Sequence, residues 1–360
     1  MASRPPVKRR LGYLDWARGL CVLFMIHTHA FYAWVSPEAR KSEVFQKTVL
    51  VGGYPGAAFL FVSGLVLALA LEGRARRGES GRRRVREGVK RGLEVLGYAF
   101  LFRLWMLATS HFWRTSDFLR VDVLNCIGGS LLLTGLVVFG WGTLRGRLMA
   151  AAALAAALSL LAPLTWDGPW LGFLPHPILG YFSGRVPDAF FPLLPWGGFT
   201  AAGAFAGILL DRARRAEREG ALLAAFAAGG AALCATGLLI DRFGPRVYPR
   251  EDFWYTSPSY FVFKLGVVLC VLAVAYLGDK LPGPSALRQM GRTSLLIYWV
   301  HLEIIYGQYV IPGGRERLDI EQSLRGVAGL ALAMLALSLL RTHVPRWWAW
   351  RREAALVSPA

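Results

Sequence analysis

Apolar runs long enough to cross a bilayer recur along the whole chain, separated by short segments rich in arginine and lysine. A transmembrane helix needs about 20 apolar residues to cross roughly 30 Å of hydrocarbon. We predict an all-α polytopic membrane protein with about ten transmembrane helices, because β-barrel spans would alternate at every second residue. The predicted spans are 14–35, 54–72, 93–109, 121–141, 147–164, 190–210, 221–240, 260–278, 293–311 and 323–340.

Composition supports one membrane domain over residues 1–360, with its core at about 11–341. Hydrophobic residues make up 55% of the chain and charged residues only 18%, which excludes a soluble enzyme and a disordered protein. The four cysteines lie far apart inside apolar runs, without the spacing of metal ligands or of a disulfide framework. We therefore expect reduced cysteines and no metal site.

The basic residues predict the orientation of the helices. A net charge of +18 would suggest nucleic-acid binding in a soluble protein, but in a polytopic membrane protein it marks cytoplasmic loops. With the N-terminus inside, the cytoplasmic segments carry more than twice as many Lys and Arg residues as the outer ones. We expect both termini in the cytoplasm, a location in the cell inner membrane and no nucleic-acid partner. The assignment depends most on the alanine-rich span 147–164, whose loss would invert every later helix.

The functional residues should be among the polar residues inside the spans. Burying a polar side chain in lipid costs free energy, so each one is expected to have a specific role. The first span is the richest in them. Arg18 and His29 are eleven residues apart, about three helical turns, so they lie on one face, and Asp15 can pair with Arg18 on that same face. His27 points about 200° away from His29. A structural ion pair with a packing histidine fits this helix equally well.

Four segments, taken together, resemble the transmembrane acyltransferases. Residues 14–19, with a histidine eleven residues after Arg18, resemble the opening helix of both the heparan-α-glucosaminide N-acetyltransferase catalytic-domain family and the broad acyltransferase-3 group. Residues 59–64 (FLFVSG), 120–128 and 291–301 (GRTSLLIYWVH) resemble later segments of the first branch, in the expected order. The second span lacks the aspartate usual in the acyltransferase-3 group, which favours the first branch.

The resemblance implies transfer of an acetyl or small acyl group from cytoplasmic acyl-CoA, with acetyl-CoA as the donor, to a carbohydrate or glycolipid on the outer side. It also implies that His29 is the base or nucleophile, a role that suits the ordinary pKa of histidine. Asp122 and Asn125 are candidates to orient the other ring nitrogen of His29. Asp15, Arg18, Arg103, Tyr298 and His301 are the predicted binding residues.

The depths of these residues suggest a passage through the membrane. Asp15 and Arg18 lie towards the cytoplasm, whereas His29 lies about 16 Å farther out at 1.5 Å per residue. Further polar residues in the middle or outer half of their spans extend the path: Arg103, Asp122, Asn125, Lys264, His301 and Glu303. The basic loop 74–91 is a candidate for holding the nucleotide of CoA, although a plain topology signal explains it at least as well.

Several alternatives stay open. A transporter or flippase for a lipid-linked or small anionic substrate would use the same buried charges without an acyl donor. Aromatic residues of the outer loops, among them Trp170 and Trp196, fit an interfacial belt better than a sugar site. Lys264 and Arg325 fit snorkelling to the outer interface. The small-residue pair Gly203 and Gly207 predicts close helix packing. The C-terminal segment from Trp347 to Arg352 predicts an interfacial anchor. Self-association into homo-oligomers is left open.

Overall fold

A computed structural model describes residues 11–109, 115–167, 171–187, 189–306 and 315–357. Within these residues the chain is helical, with two isolated β-bridges and no strand. The helices are α1 Gly12–Trp34, α2 Glu43–Gly52, α3 Tyr54–Arg76, α4 Gly81–Thr109, α5 Val123–Val138, α6 Leu144–Leu160, α7 Ala162–Asp167, α8 His176–Leu179, α9 Leu193–Arg215, α10 Glu219–Phe243, α11 Pro258–Asp279, α12 Ala286–Arg292, α13 Ser294–Tyr306 and α14 Ile320–Val357. The all-α prediction is confirmed.

Each predicted span overlaps one of these helices, but not all are equally suited to a bilayer. In the described ranges, α3, α4, α9, α10, α11 and α14 are long and apolar enough to cross a membrane. The helices α5 and α13 are apolar but shorter, and α6 has only 17 residues. Asp15, Arg18 and two histidines interrupt the apolar sequence of α1. The chain is a multi-pass membrane protein, and the number of ten spans stays a prediction.

The predicted loop 74–91 is largely helical. The α3 helix continues to Arg76 and α4 begins at Gly81, leaving only a short connection. Apolarity ends where a helix leaves the hydrocarbon, whereas backbone hydrogen bonding continues wherever side chains permit it. Arg74 supports the connection through ion pairs of 2.9 Å with Glu79 and with Glu87.

Glycines allow the central helices to approach closely. On α9, a Cβ at Gly203 or Gly207 would collide with the backbone of α3 at Phe61 or Leu65. This confirms the close packing predicted for the two glycines. Gly19 on α1 and Gly291 on α12 face each other's helix in the same way, against the carbonyls of Leu287 and Asp15. The glycines of two of the family-like segments therefore serve packing, and they bring Asp15 next to the start of α13.

A buried ion pair ties the alanine-rich α6 to α3. Arg147 Nε lies 2.7 Å from Glu72 Oε1, and Arg147 also donates to the carbonyls of Trp141 and Gly142. Both charged side chains are 7% exposed. The predicted fifth span is thus a helix, and its Arg147 is paired with Glu72 of α3. Trp170 and the side chains of 345–357, including the C-terminal aromatic residues, lie outside the described part.

Candidate functional site

Two histidines from distant parts of the sequence meet where α1 and α13 pack together. His29 Nδ1 lies 2.9 Å from His301 Nε2, and the rings are nearly parallel, with centroids 5.1 Å apart. His301 is completely buried, and its Nδ1 lies 2.7 Å from the Ile297 carbonyl one turn earlier. The Tyr306 hydroxyl donates to the His29 carbonyl at 3.1 Å. His29 is therefore held by α13 through both its ring and its backbone.

A second polar group lies beside this pair, around the carboxylate of Asp122. Arg103 on α4 is 2% exposed, and its guanidinium lies 2.6 Å from Asp122 Oδ2. The Tyr298 hydroxyl donates to the same oxygen at 3.1 Å. The other oxygen, Oδ1, accepts from the backbone N–H groups of Leu124 and Asn125, which caps the N-terminus of α5. Asp122 thus joins α4, α5 and α13 in one cluster.

Neither Asp122 nor Asn125 hydrogen-bonds the ring of His29 in the described part of the chain, so their predicted orienting role stays a prediction. The partner of His29 Nδ1 is His301. Asp122 already uses both oxygens, and Asn125 Nδ2 donates to the Tyr181 hydroxyl at 3.3 Å. Asn125 is 1% exposed, yet its Oδ1 has no hydrogen-bond partner among the described residues. The Asn125 Oδ1 atom can therefore still accept a hydrogen bond.

At the start of α1, Asp15 and Arg18 form the predicted ion pair. Arg18 lies 3.5 Å from Asp15 Oδ1, and Asp15 is 1% exposed. Arg292, at the end of α12, approaches the other oxygen at 3.8 Å. Arg292 belongs to a segment quoted for the family resemblance, but no role was predicted for it. One buried carboxylate therefore positions two arginines whose side chains remain partly exposed.

Both arginines line a cavity of about 460 Å³, here called the basic cavity. Arg18 on α1, Arg91 on α4 and Arg292 on α12 line one end, about two helical turns before the residues of the same or the following helix that line the other end, and Arg341 of α14 also lines the cavity. Met25, Tyr98, Val123, Leu124 and Tyr298 line the other end. A smaller space of about 280 Å³ adjoins it through Arg18 and Arg91 and adds Arg74 and Lys90, together with Glu87 and Glu94. Arg91 belongs to the basic segment 74–91 that was a candidate for holding the nucleotide, whereas sequence reasoning missed Arg341, since it is a single basic residue among many.

The basic cavity shares Tyr298 with the Asp122 cluster. Tyr298 lines the cavity, donates to Asp122, and has its ring centroid 6.0 Å from that of His301. Through these contacts the cavity reaches the histidine pair, although neither histidine lines it. An elongated anion with a less polar tail would fit this arrangement, with the anionic groups among the arginines and the tail towards Tyr298.

The remaining sequence candidates lie elsewhere. His27 stacks on Phe31, with ring centroids 4.2 Å apart, and does not join the pair. Lys264 does not snorkel: it is 5% exposed and lies over the rings of Trp196 and Tyr260, at 4.4 and 4.3 Å. Arg325 is exposed and pairs with Glu321. Glu303 accepts from Trp105 and Thr109, both at 3.1 Å. These residues form separate polar groups in the described part of the chain, and the passage stays a prediction.

Comparison with known proteins places this geometry in a family. The family model described as heparan-alpha-glucosaminide N-acetyltransferase, catalytic, matches residues 10–240, from α1 through most of α10. This range contains His29, Arg103 and Asp122, whereas Tyr298 and His301 come from the segment after it. No curated protein matches the chain. Because the match covers well over half of the sequence, the chain belongs to the heparan-alpha-glucosaminide N-acetyltransferase catalytic family, a family of transmembrane acetyltransferases.

Proposed function

We propose that this protein moves an acetyl group from cytoplasmic acetyl-CoA to a sugar amine or hydroxyl on the outer side of the inner membrane. The observation that carries the proposal is the basic cavity, which runs from four arginines to Tyr298 beside the His29–His301 pair. Family membership supports the reaction class. The acceptor would be a carbohydrate or glycolipid.

The arginine end of the cavity suits the nucleotide part of the donor. Coenzyme A carries phosphates, and the planar guanidinium binds phosphate oxygens through two parallel hydrogen bonds. Asp15 would hold Arg18 and Arg292 in place, through contacts of 3.5 and 3.8 Å. The pantetheine arm would then follow the cavity towards Tyr298.

The histidine pair suits the chemistry of transfer. The acceptor hydroxyl or amine must lose its proton as it attacks the thioester carbonyl, and histidine is a suited base near neutral pH. His29 would take that proton while the new bond to the acyl carbon forms and the carbon–sulfur bond breaks. The proton then passes to the departing thiolate.

The proposal is tested with purified protein in detergent, radiolabelled acetyl-CoA and a panel of amino and hydroxyl sugars. Label should move to a sugar, or be released as acetate, at a rate that depends on His29. A transporter or flippase predicts no turnover of the thioester. Substrate movement across vesicles by a His29→Ala protein, with no thioester cleavage by the unchanged protein, would favour that alternative.

The orientation makes a separate prediction. If the arginine end of the cavity faces the cytoplasm, a Glu38→Cys protein should react with an impermeant thiol reagent in intact cells. An Arg77→Cys protein should react only after permeabilisation. Both side chains are well exposed, and the unchanged chain controls for its own four cysteines. The reverse labelling pattern would place the cavity mouth on the outside and exclude cytoplasmic acyl-CoA as the donor.

Arg18→Lys should raise the apparent KM for acetyl-CoA while leaving the KM for the acceptor nearly unchanged. Lysine keeps the charge but cannot make two parallel hydrogen bonds to a phosphate. We therefore expect the apparent KM for acetyl-CoA to rise about tenfold, which corresponds to roughly 1.4 kcal/mol of binding free energy. Arg325→Lys, on an exposed surface of α14, is the matched control. If Arg18→Lys lowers only the melting temperature, and a charge swap with Asp15 restores both stability and activity, Arg18 does not bind the donor.

A further inference from the structure

The hydrogen bonds of the His29–His301 pair determine where its protons lie. A backbone carbonyl can only accept a hydrogen bond, so the 2.7 Å contact with Ile297 requires a proton on His301 Nδ1. A neutral imidazole carries one N–H, which leaves His301 Nε2 as an acceptor. The 2.9 Å contact then requires His29 Nδ1 to donate. In a neutral His29 the lone pair is consequently on Nε2, the ring nitrogen that does not contact His301.

This reasoning requires His301 to be neutral, and its surroundings favour that form. The side chain is completely buried, and burial of an unpaired charge is costly. The neighbouring carboxylates are engaged elsewhere: Asp122 with Arg103 and Tyr298, and Glu303 with Trp105 and Thr109. A charged His301 would donate from both nitrogens and leave the lone pair of His29 on Nδ1.

We propose that His301 is a positioning residue, which holds His29 in the Nδ1–H tautomer so that Nε2 is the atom that reacts. This inference rests on the proposed function for its catalytic meaning. In the proposed step, the acceptor N–H or O–H bond breaks and the proton joins His29 Nε2. The new acyl bond forms as the thioester carbon–sulfur bond breaks, and His29 returns the proton to the thiolate.

His301 differs in one respect from the carboxylate that orients histidine in hydrolase triads. An aspartate both orients the ring and offsets the charge of the imidazolium that forms. His301 is neutral, so it orients the ring without offsetting that charge. Replacing His301 should therefore lower kcat, because His29 loses the correct tautomer, and should leave the binding of both substrates unchanged. Glutamine can replace it, because its side-chain oxygen is able to accept from His29 Nδ1.

The test is nitrogen NMR of protein labelled with ¹⁵N-histidine in lipid nanodiscs at neutral pH. Signals of His29 and His301 are assigned from single-substitution spectra. In the unchanged protein, His29 Nδ1 should be protonated and Nε2 unprotonated. His301→Leu should give His29 a mixture of tautomers, and His301→Gln should restore the single form. His27→Leu is the control and should leave the His29 signals unchanged.

Kinetics provide the second readout. His301→Leu should lower kcat about 100-fold, within the range of general acid–base catalysis, with little change in either KM, and His301→Gln should recover most of it. An unprotonated His29 Nδ1 in the unchanged protein would overturn the proposal, as would equal activity of the Leu and Gln proteins. If His301→Leu does not fold, the unchanged and Gln proteins still decide the tautomer. If no acetyl transfer is found, the NMR result stands while the proposed function fails.

Discussion

His29→Ala is expected to abolish acetyl transfer, whereas His27→Ala should leave a folded and largely active protein. His29 contacts His301 beside the end of the basic cavity, while His27 packs against Phe31 on another side of α1. Loss of a general base costs about 10²–10⁴-fold in rate, and loss of a nucleophile costs more. The measurement is label transfer from acetyl-CoA at saturating acceptor, normalised to folded protein.

The two neighbouring histidines control for each other, because both are removed from the same helix with the same change in volume. Similar melting temperatures with very different rates would support the assignment. Equal losses of activity from two well-folded proteins would mean that the face of α1 directed at His301 is not the reactive one. Full activity of the His29→Ala protein would remove the proposed base altogether.

Asp122→Ala is expected to lower the free energy of unfolding by about 3–5 kcal/mol, because it leaves the guanidinium of Arg103 without its carboxylate in a buried position. The same change removes the N-cap of α5 and the acceptor of the Tyr298 hydroxyl. Activity should disappear as well. Thermal unfolding in detergent, with denaturant titration where it is reversible, measures the first effect.

The double variant Asp122→Ala with Arg103→Met separates stability from function. Removing both charges should recover much of the lost stability, because an apolar replacement of a buried pair is often neutral or better. Acetyl transfer should stay lost, since Tyr298 is no longer held beside the histidine pair. Recovery of activity together with stability would show that the cluster serves only the fold. Glu72→Ala with Arg147→Met is the matched control, because that buried pair lies away from the cavity.

Local sequence rules accounted for features that one helix can specify. The Asp15–Arg18 pair follows from a three-residue spacing, and it forms as expected. The separation of His27 from His29 follows from helical geometry in the same way. Helix ends were less predictable: α4 begins at Gly81, well before its apolar part, because basic residues continue a helix as readily as apolar ones. Apolarity predicts where a helix crosses the membrane, not where it begins.

The composition of the candidate site depended on contacts between helices that are far apart in sequence. Asp122 and Asn125 were candidate partners of His29 because they were placed at the outer end of their span, but depth alone does not say which side chains face each other. Packing decided this: Gly19 and Gly291 let α1 approach α12 closely, and α13 follows directly, which places His301 against His29. The carboxylate of Asp122 is meanwhile taken by Arg103 and Tyr298.

The sequence by itself therefore determined the membrane class, the helical segments, the family and the residues with chemical capacity, because these depend on composition, periodicity and short motifs. Only the tertiary structure decided which of those residues act together. The arginines of the basic cavity come from four helices, and the two histidines are 272 positions apart. Their convergence depends on the rotation of each helix about its own axis, which is set by close packing against several neighbours at once.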